Sequence, residues 1–377
     1  MCQRTTYRSK RFIIKPFISW KKYAKNAVIY NCAKISSMKI IDATDQKKWD
    51  KFVTSHDEAN FLQSWAWGEF HESRGKTVVR RIAVDDKNKI QAAYVGQVET
   101  AKRGTYMAIA GGPILDWNNK KLVKEIFKDI KEQGEANNCV FVRVRPQITE
   151  GEDNRKLFEK LGLKPAPMYL SVEYAGVVDI SKSEDEVFAG FSQSLRRNFR
   201  KAHKDEGITT EVSTDPSCIP EFYKTQMETA DRHKFVAFSE DFLQKQFEAF
   251  AKYDEVKLYT ARYEGEILAQ IYIIFYGNEA SYHYAASTSL GLKHKGVLLL
   301  HEMAMKDARE RGIERYNLWG ITGLNDTKHR FYGVSQFKRS FGVYELQYLH
   351  AHDLIIQPGK YRINYLIEKI RAKIRHV

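Results

Sequence analysis

From position 38 onward, apolar and polar residues recur with two periods, and together they spell one order of elements twice. A 3.6-residue period predicts a short helix over 46–54 and a longer amphipathic one over 119–137. A two-residue period predicts strands over 77–84, 90–100, 105–110 and 140–144, the first two joined by the turn Asp85-Asp86-Lys87-Asn88. The order is β-β-β-α-β. After helices over 184–191, 194–206, 221–234 and 239–253, that order returns. Strands over 256–263, 267–276 and 280–286 are linked by Glu264-Gly265 and Gly277-Asn278, then come a helix over 297–311 and a strand over 316–319. Pro165 and Pro167 interrupt regular structure between the copies, near 164–174, and a basic helix over 361–374 ends the chain. The repeat predicts a duplicated α+β protein, with domains over 38–168 and 169–357 and the basic helix in 358–377.

Composition narrows the class. The 377 residues are 43% hydrophobic and 29% charged, and no apolar run approaches the roughly 20 residues that cross a bilayer, so a soluble protein with two cores is expected. The net charge of +14 is uneven: residues 1–37 hold nine Lys or Arg and no Asp or Glu, which leaves +5 for 38–377. That extension reads three ways: a basic tail for anionic lipid or nucleic acid, an Arg/Ser-rich targeting peptide, or translated sequence ahead of a start at Met38. Its apolar stretch, Phe12-Ile13-Ile14, is cut off by Lys15 and Pro16, too short for a secretory core. Cys2, Cys32, Cys139 and Cys218 fit neither a disulfide framework nor C-x-x-C spacing, and they suit a reducing cytoplasm. The histidines are scattered, and no metal site is expected.

Three segments carry candidate chemistry. The first runs from Ser194 to Gly207: on a helix, Arg197, Arg200, Lys201 and Lys204 share one face while Leu195, Phe199 and Ala202 turn to the core. With Arg196 this stripe suits the phosphates of a nucleic acid, or it is simply a solvated face. The second is the polar stretch 320–342, which leads into Phe337-Lys338. A cation there, beside the strand ending at Trp319, would stabilise an oxyanion forming on an ester carbonyl, whereas the alternative is a solvated surface lysine. The third, Tyr282-His283-Tyr284, offers alternate residues to two sheet faces, either toward a cleft or toward a core.

The meander, helix and strand of the second copy resemble the acetyltransferase (GNAT) fold, whose splayed central strands leave an acyl-binding cleft. Such enzymes hold the pyrophosphate of coenzyme A on helix N-terminal amides. Here that turn reads Lys293-His294-Lys295-Gly296-Val297-Leu298, with a single glycine, and no cofactor is expected.

Six segments in order resemble the FemX/FemA/FemB family across 38–345: Phe61-Leu-Gln-Ser-Trp-Ala-Trp-Gly-Glu-Phe70, Gly111-Gly-Pro113, Ser194-Leu-Arg-Arg-Asn-Phe-Arg200, Met227-Glu-Thr-Ala-Asp-Arg-His233, Tyr282-His-Tyr-Ala-Ala286 and Phe337-Lys-Arg-Ser-Phe-Gly342. The resemblance implies two tandem GNAT-like domains of mixed sheets flanked by helices, with the cleft in the second alone and the C-terminal helix packed back on the first. It implies a monomeric aminoacyltransferase that takes an aminoacyl group from charged tRNA to the stem-peptide amine of a peptidoglycan precursor, nucleotide-linked or lipid-linked. Lys338 then matches the lysine that stabilises the transition state, and Asp326 is a weaker candidate for the base. Trp67, His71, Arg145, Arg232, Tyr282, Tyr284 and Trp319 are expected to bind substrate, and Arg196, Arg197, Arg200, Lys201 and Lys204 to bind tRNA. Family members that bind a nucleotide-linked precursor carry a lysine, an aspartate and an arginine where this chain has His71, Arg145 and Phe238. A lipid-linked acceptor, with peripheral contact of the basic C-terminal helix at the inner membrane surface, fits those departures. Two other classes stay open: a coenzyme-A-dependent N-acyltransferase and a non-catalytic tRNA- or RNA-binding protein.

Overall fold

The computed structural model describes residues 38–101 and 104–375, so the basic extension and its three readings lie outside the described residues. The first half runs β1 (Lys39–Asp42), α1 (Gln46–Val53), α2 (Trp65–Ser73), β2 (Val78–Val84), β3 (Ile90–Ala101), β4 (Gly104–Gly111) and β5 (Ile114–Leu115). It continues with α3 (Lys120–Ala136), β6 (Cys139–Pro146), α4 (Glu152–Lys160) and β7 (Lys164–Pro165). The second half opens with β8 (Tyr174–Asp179), α5 (Glu184–Gly190), α6 (Gln193–His203), β9 (Ile208–Ser213), α7 (Ile219–His233) and α8 (Glu240–Ala251). A meander follows, β10 (Val256–Tyr263), β11 (Glu266–Tyr276) and β12 (Glu279–Ser287), then α9 (Ser289–His294), α10 (Val297–Glu310) and β13 (Arg315–Gly320). The chain closes with α11 (Tyr332–Arg339), β14 (Tyr344–Gln347), β15 (His352–Ile355) and α12 (Pro358–Arg375).

Each half builds one mixed sheet, in the orders β1-β2-β3-β4-β6-β15-β7 and β14-β8-β13-β12-β11-β10-β9, with β5 paired to β3. The last strand of the segment 169–357 therefore belongs to the first sheet: β15 lies antiparallel to β6, with Asp353 opposite Arg143. Behind it, α12 packs Tyr361 on Phe141. One apolar cluster spans both halves, taking Trp49, Phe61 and Val95 from the first and Phe247, Tyr272 and Ile274 from the second.

Two of the sequence segments singled out above interlock in the first half. The Asn60 side-chain amide donates to the Gly111 carbonyl at 2.9 Å. Gln63 donates to the Ala110 carbonyl at 2.8 Å and accepts from the Val95 amide at 2.9 Å, so it pins β3 and β4 together. A Cβ at Gly111 or Gly112 would collide with those same two side chains. That is why the glycine pair and the Asn-Phe-Leu-Gln turn occur together.

The decisive difference between the sheets lies in their parallel strand pairs. In the first sheet, β4 and β6 stay paired from Thr105/Cys139 to Gly111/Pro146, so the sheet is closed. In the second, β12 and β13 pair only at Glu279/Arg315, Ala280/Tyr316 and Ser281/Asn317. Beyond Ser281 the strands part, and a cleft opens in their place.

The stretch expected as a polar loop before Lys338 differs: its second part is helix α11, and Lys338 sits in the last turn. Ser335 on that helix accepts from the Thr322 amide and donates to the Phe331 carbonyl, each at 2.9 Å, which ties the 321–331 loop to α11. The helix stops at Arg339, and the turn after it leads to Gly342, whose φ of +67° is left-handed and where a Cβ would strike the Gly190 carbonyl oxygen. Gly342→Ala is expected to destabilise the fold by about 1–3 kcal/mol, since both strain and collision oppose it, and urea unfolding checks this.

Candidate active site

The cleft between β12 and β13 has a volume of about 1700 Å³. Tyr282, Ala285 and Ser287 line it from β12, Trp319 and Gly320 from β13, Ser194 and Asn198 from α6, and Lys338 from α11. The 169–174 crossing, read from sequence only as an interruption between domains, forms another wall with Tyr348 and His350. Glu173 anchors that wall by accepting from the Ala351 amide at 3.0 Å and pairing with His350 at 2.8 Å.

Lys338 is 9% exposed, so the solvated-surface alternative does not describe it. Its ammonium donates to the Gly320 carbonyl at 2.8 Å and lies 5.8 Å from the centroid of the Tyr282 ring. It forms no ion pair among the described residues, and burial pushes its pKa down to about 8. The result is a desolvated cation without an internal counter-charge, aimed into a cleft. Behind Tyr282 stands His301, fully buried, with Nδ1 2.8 Å from the Tyr316 hydroxyl and its ring 4.7 Å from that of Tyr282. Burial first, and Lys338 second, hold this imidazole neutral with a pKa of about 3. Sequence reading missed His301 because a lone histidine on a helix gives no local signal of what it faces.

The two tyrosines do not share a face. Register slips between Tyr272/Tyr284 and Ile273/Tyr282, leaving His283 as a bulged residue. Tyr282 packs with the α10 side and lines the cleft, whereas Tyr284 joins the other apolar cluster, beside Phe238 at 5.7 Å. Strict alternation breaks at that one residue. Trp319, the next-to-last residue of β13, has a φ of +63°, a conformation rare for a bulky side chain, and its ring meets Phe61 at 5.1 Å and His283 at 5.5 Å. The observed bend faces the indole along the cleft wall and leaves the next carbonyl, Gly320, as the acceptor for Lys338.

The other sequence candidates are dispersed. Asp326 lies on the exposed rim, its backbone closing a turn with Gly323 and His329. Arg145 is buried behind the wall, with Nε bonded to Ser171 and Nη1 to Gln147, each at 2.6 Å, and burial lowers its pKa to about 10. Arg232 holds the end of β12, donating to the Ser287 carbonyl at 2.6 Å and hydroxyl at 2.9 Å. Trp67 and His71 meet edge to face at 4.8 Å on α2, away from the cleft lining, and burial keeps His71 neutral with a pKa of about 3. On α6, Leu195, Phe199 and Ala202 are buried while Arg197, Arg200, Lys201 and Lys204 are exposed. Arg196 instead donates to the Phe191 and Ala189 carbonyls at the end of α5. The outward cations thus belong to the same helix whose Ser194 and Asn198 line the cleft.

The turn into α10 does not form a pyrophosphate cradle. The Leu298 and Leu299 amides already donate to the Lys295 and Gly296 carbonyls at 3.0 and 3.1 Å. His294 is tied to Asp205 at 2.7 Å, and a Cβ at Gly296 would press on Leu268 and Ala261. Coenzyme A does not fit these residues.

Residues 44–160 match the FemAB family, and residues 189–339 match the acetyltransferase (GNAT) domain. The Lipid II:glycine glycyltransferase of Staphylococcus epidermidis is 24% identical, over 89% of this chain and 97% of its own length. The enzyme of the same name from Staphylococcus aureus is 21% identical over 86% and 94%. The crystal structure of FemX superposes with a TM-score of 0.79 at 19% identity, covering 88% of this chain and 100% of that one, so the fold is shared.

Proposed function

We propose that this chain, whose residues 44–160 match the FemAB family, is an aminoacyltransferase of peptidoglycan bridge synthesis, acting in the cleft of its second GNAT-like domain. The carrying observation is Lys338, a buried cation without an ion-pair partner among the described residues, set where two sheet strands separate. The domain boundaries we propose are the expected 38–168 and 169–357, amended so that β15 returns to the first domain together with 358–377.

The donor in this reading is an aminoacyl ester of tRNA. The neutral stem-peptide amine adds to the ester carbonyl, forming the C–N bond and a tetrahedral oxyanion; the oxyanion then collapses, the C–O bond to ribose breaks, and the ribose oxygen leaves with the proton that the amine gives up. Lys338 stabilises the oxyanion between those steps, and the closed walls hold the amine near the carbonyl. Asp326, on the rim, is the proposed acceptor of the amine's proton. An activated ester makes a covalent enzyme intermediate unnecessary.

The departures from nucleotide-binding members favour a lipid-linked acceptor. His71 is neutral, Arg145 is engaged by Ser171 and Gln147, and Phe238 is apolar and stacked on Phe242 at 4.2 Å. None of the three offers a free cation to a nucleotide's diphosphate. Incubation with labelled aminoacyl-tRNAs and a lipid-linked precursor should move label into the precursor. Absence of transfer from every charged tRNA, together with consumption of acetyl-CoA, would replace this reading with the coenzyme-A-dependent one.

The α6 stripe supplies the tRNA-binding surface in this account. Replacing Arg197, Arg200, Lys201 and Lys204 by alanine should raise the KM for charged tRNA with little change in kcat. The slope of log affinity against log salt should flatten by about one unit for each phosphate that the variant no longer neutralises. An unchanged slope would return the stripe to a solvated face.

A further inference from the structure

We propose that the outward face of α12 docks on an anionic lipid surface, with its aliphatic stripe among the headgroups. Successive residues on a helix are about 100° apart, which places Ile363, Leu366 and Ile370 within about 60° of arc. They are 63%, 59% and 51% exposed. By the same spacing, Arg362 and Lys369 flank one side of the stripe, Lys360 and Arg371 flank the other, and all four are exposed.

The opposite face explains the orientation. Tyr361 is buried on Phe141, and its hydroxyl donates to Asp353 at 3.0 Å. Glu368, the helix's single carboxylate, is turned inward onto Arg143 at 2.8 Å. The outward face is thereby left with aliphatic side chains between two rows of cations and with no carboxylate. A protein partner of ordinary composition would match the stripe but not both cation rows, whereas an anionic bilayer surface matches both at once. No helix among the described residues is long and apolar enough to cross a membrane, so the contact is peripheral.

This inference rests on the transferase reading only in that a lipid-linked acceptor is presented at such a surface; its test reads partition rather than transfer. The full-length protein is sedimented with vesicles of phosphatidylcholine alone and of phosphatidylcholine with phosphatidylglycerol, alongside Leu366→Glu/Ile370→Glu. Both positions are exposed, so the variant should keep the wild-type melting temperature. Wild type should sediment with the anionic vesicles and not with the neutral ones, and the variant should bind at least about tenfold more weakly. Transfer to a lipid-linked precursor dispersed in neutral detergent micelles, where no anionic bilayer is present, should be equal for the two proteins, which separates this proposal from the catalytic one. Equal sedimentation of both proteins would overturn it, because binding would then come from elsewhere, including the nine cations of residues 1–37. A wild-type dimer that the variant converts to monomer would also overturn it, by assigning the stripe to a second copy of the chain.

Discussion

Lys338→Ala should lower kcat for the proposed aminoacyl transfer by about 10²–10³-fold while the KM for tRNA stays close to wild type, because in that reaction the side chain would meet charge that exists only in the transition state. The same substitution should not cost stability. A cation 9% exposed, bonded to one carbonyl and to no carboxylate, is held at the expense of its own hydration. Its pKa falls from 10.5 unfolded to about 8 folded. The unfolded chain therefore binds more protons between those values. The penalty is full below pH 8 and disappears as pH rises through the window, and two to three pH units correspond to roughly 3 kcal/mol. Lys338→Met should accordingly raise the unfolding free energy near pH 7 and flatten its rise toward pH 10. A large loss of stability in either variant would show that the lysine holds the fold together.

The titration also shapes the rate. Oxyanion stabilisation needs the charged form, so kcat should decline as pH rises through about 8, while the acceptor amine, which must be neutral, drives the opposite limb. Lys338→Arg keeps its charge throughout and should abolish the alkaline decline, even though the longer side chain lowers the rate.

The second large effect is structural. Asp353→Ala should destabilise the protein by about 3–5 kcal/mol, as expected when a buried ion pair loses one partner. Asp353 is fully buried, and Arg143 reaches it through two bonds of 2.7 and 2.9 Å, with Tyr361 adding a third. This group is where β6, β15 and α12 meet. Its loss should free the C-terminal helix first, seen as protease cleavage within 358–375 ahead of global unfolding. An Arg143→Met/Asp353→Leu double variant, which removes both charges and restores apolar volume, should recover most of the loss. A loss under about 1 kcal/mol for Asp353→Ala would mean that Glu368 alone satisfies the arginine.

Elements whose signal is local were legible. The meander β10–β12 shows alternation and the turns Glu264-Gly265 and Gly277-Asn278, and α3 shows an apolar face, so their limits differ from expectation by a few residues. Lys338, Tyr282 and Trp319 were each singled out, and the structure brings them to one cleft. What was not legible depends on partners distant in sequence. Helix α11 buries only Ser335 and Lys338, too little apolar periodicity to distinguish it from the loop before it. The bulge at His283 comes from pairing with β11, which alternation alone cannot foresee. Arg145 looked like a ligand-binding cation because nothing nearby in sequence hinted at Ser171 or Tyr348. Strand β15 is four residues placed by pairing with β6 and by the bond from Arg143, 210 positions earlier.

In the proposed reaction this cleft moves an aminoacyl group from tRNA to a precursor amine with Lys338 at the carbonyl. The most direct measurement is the mass, and the fragment position, of the label on the precursor after incubation with charged tRNA and either wild type or Lys338→Ala at equal tRNA occupancy. Wild type should give a product heavier by one aminoacyl residue, carried on the stem-peptide side-chain amine, and the variant almost none. Undiminished product from the variant, or an acetylated precursor formed only when acetyl-CoA is supplied, would contradict this reading.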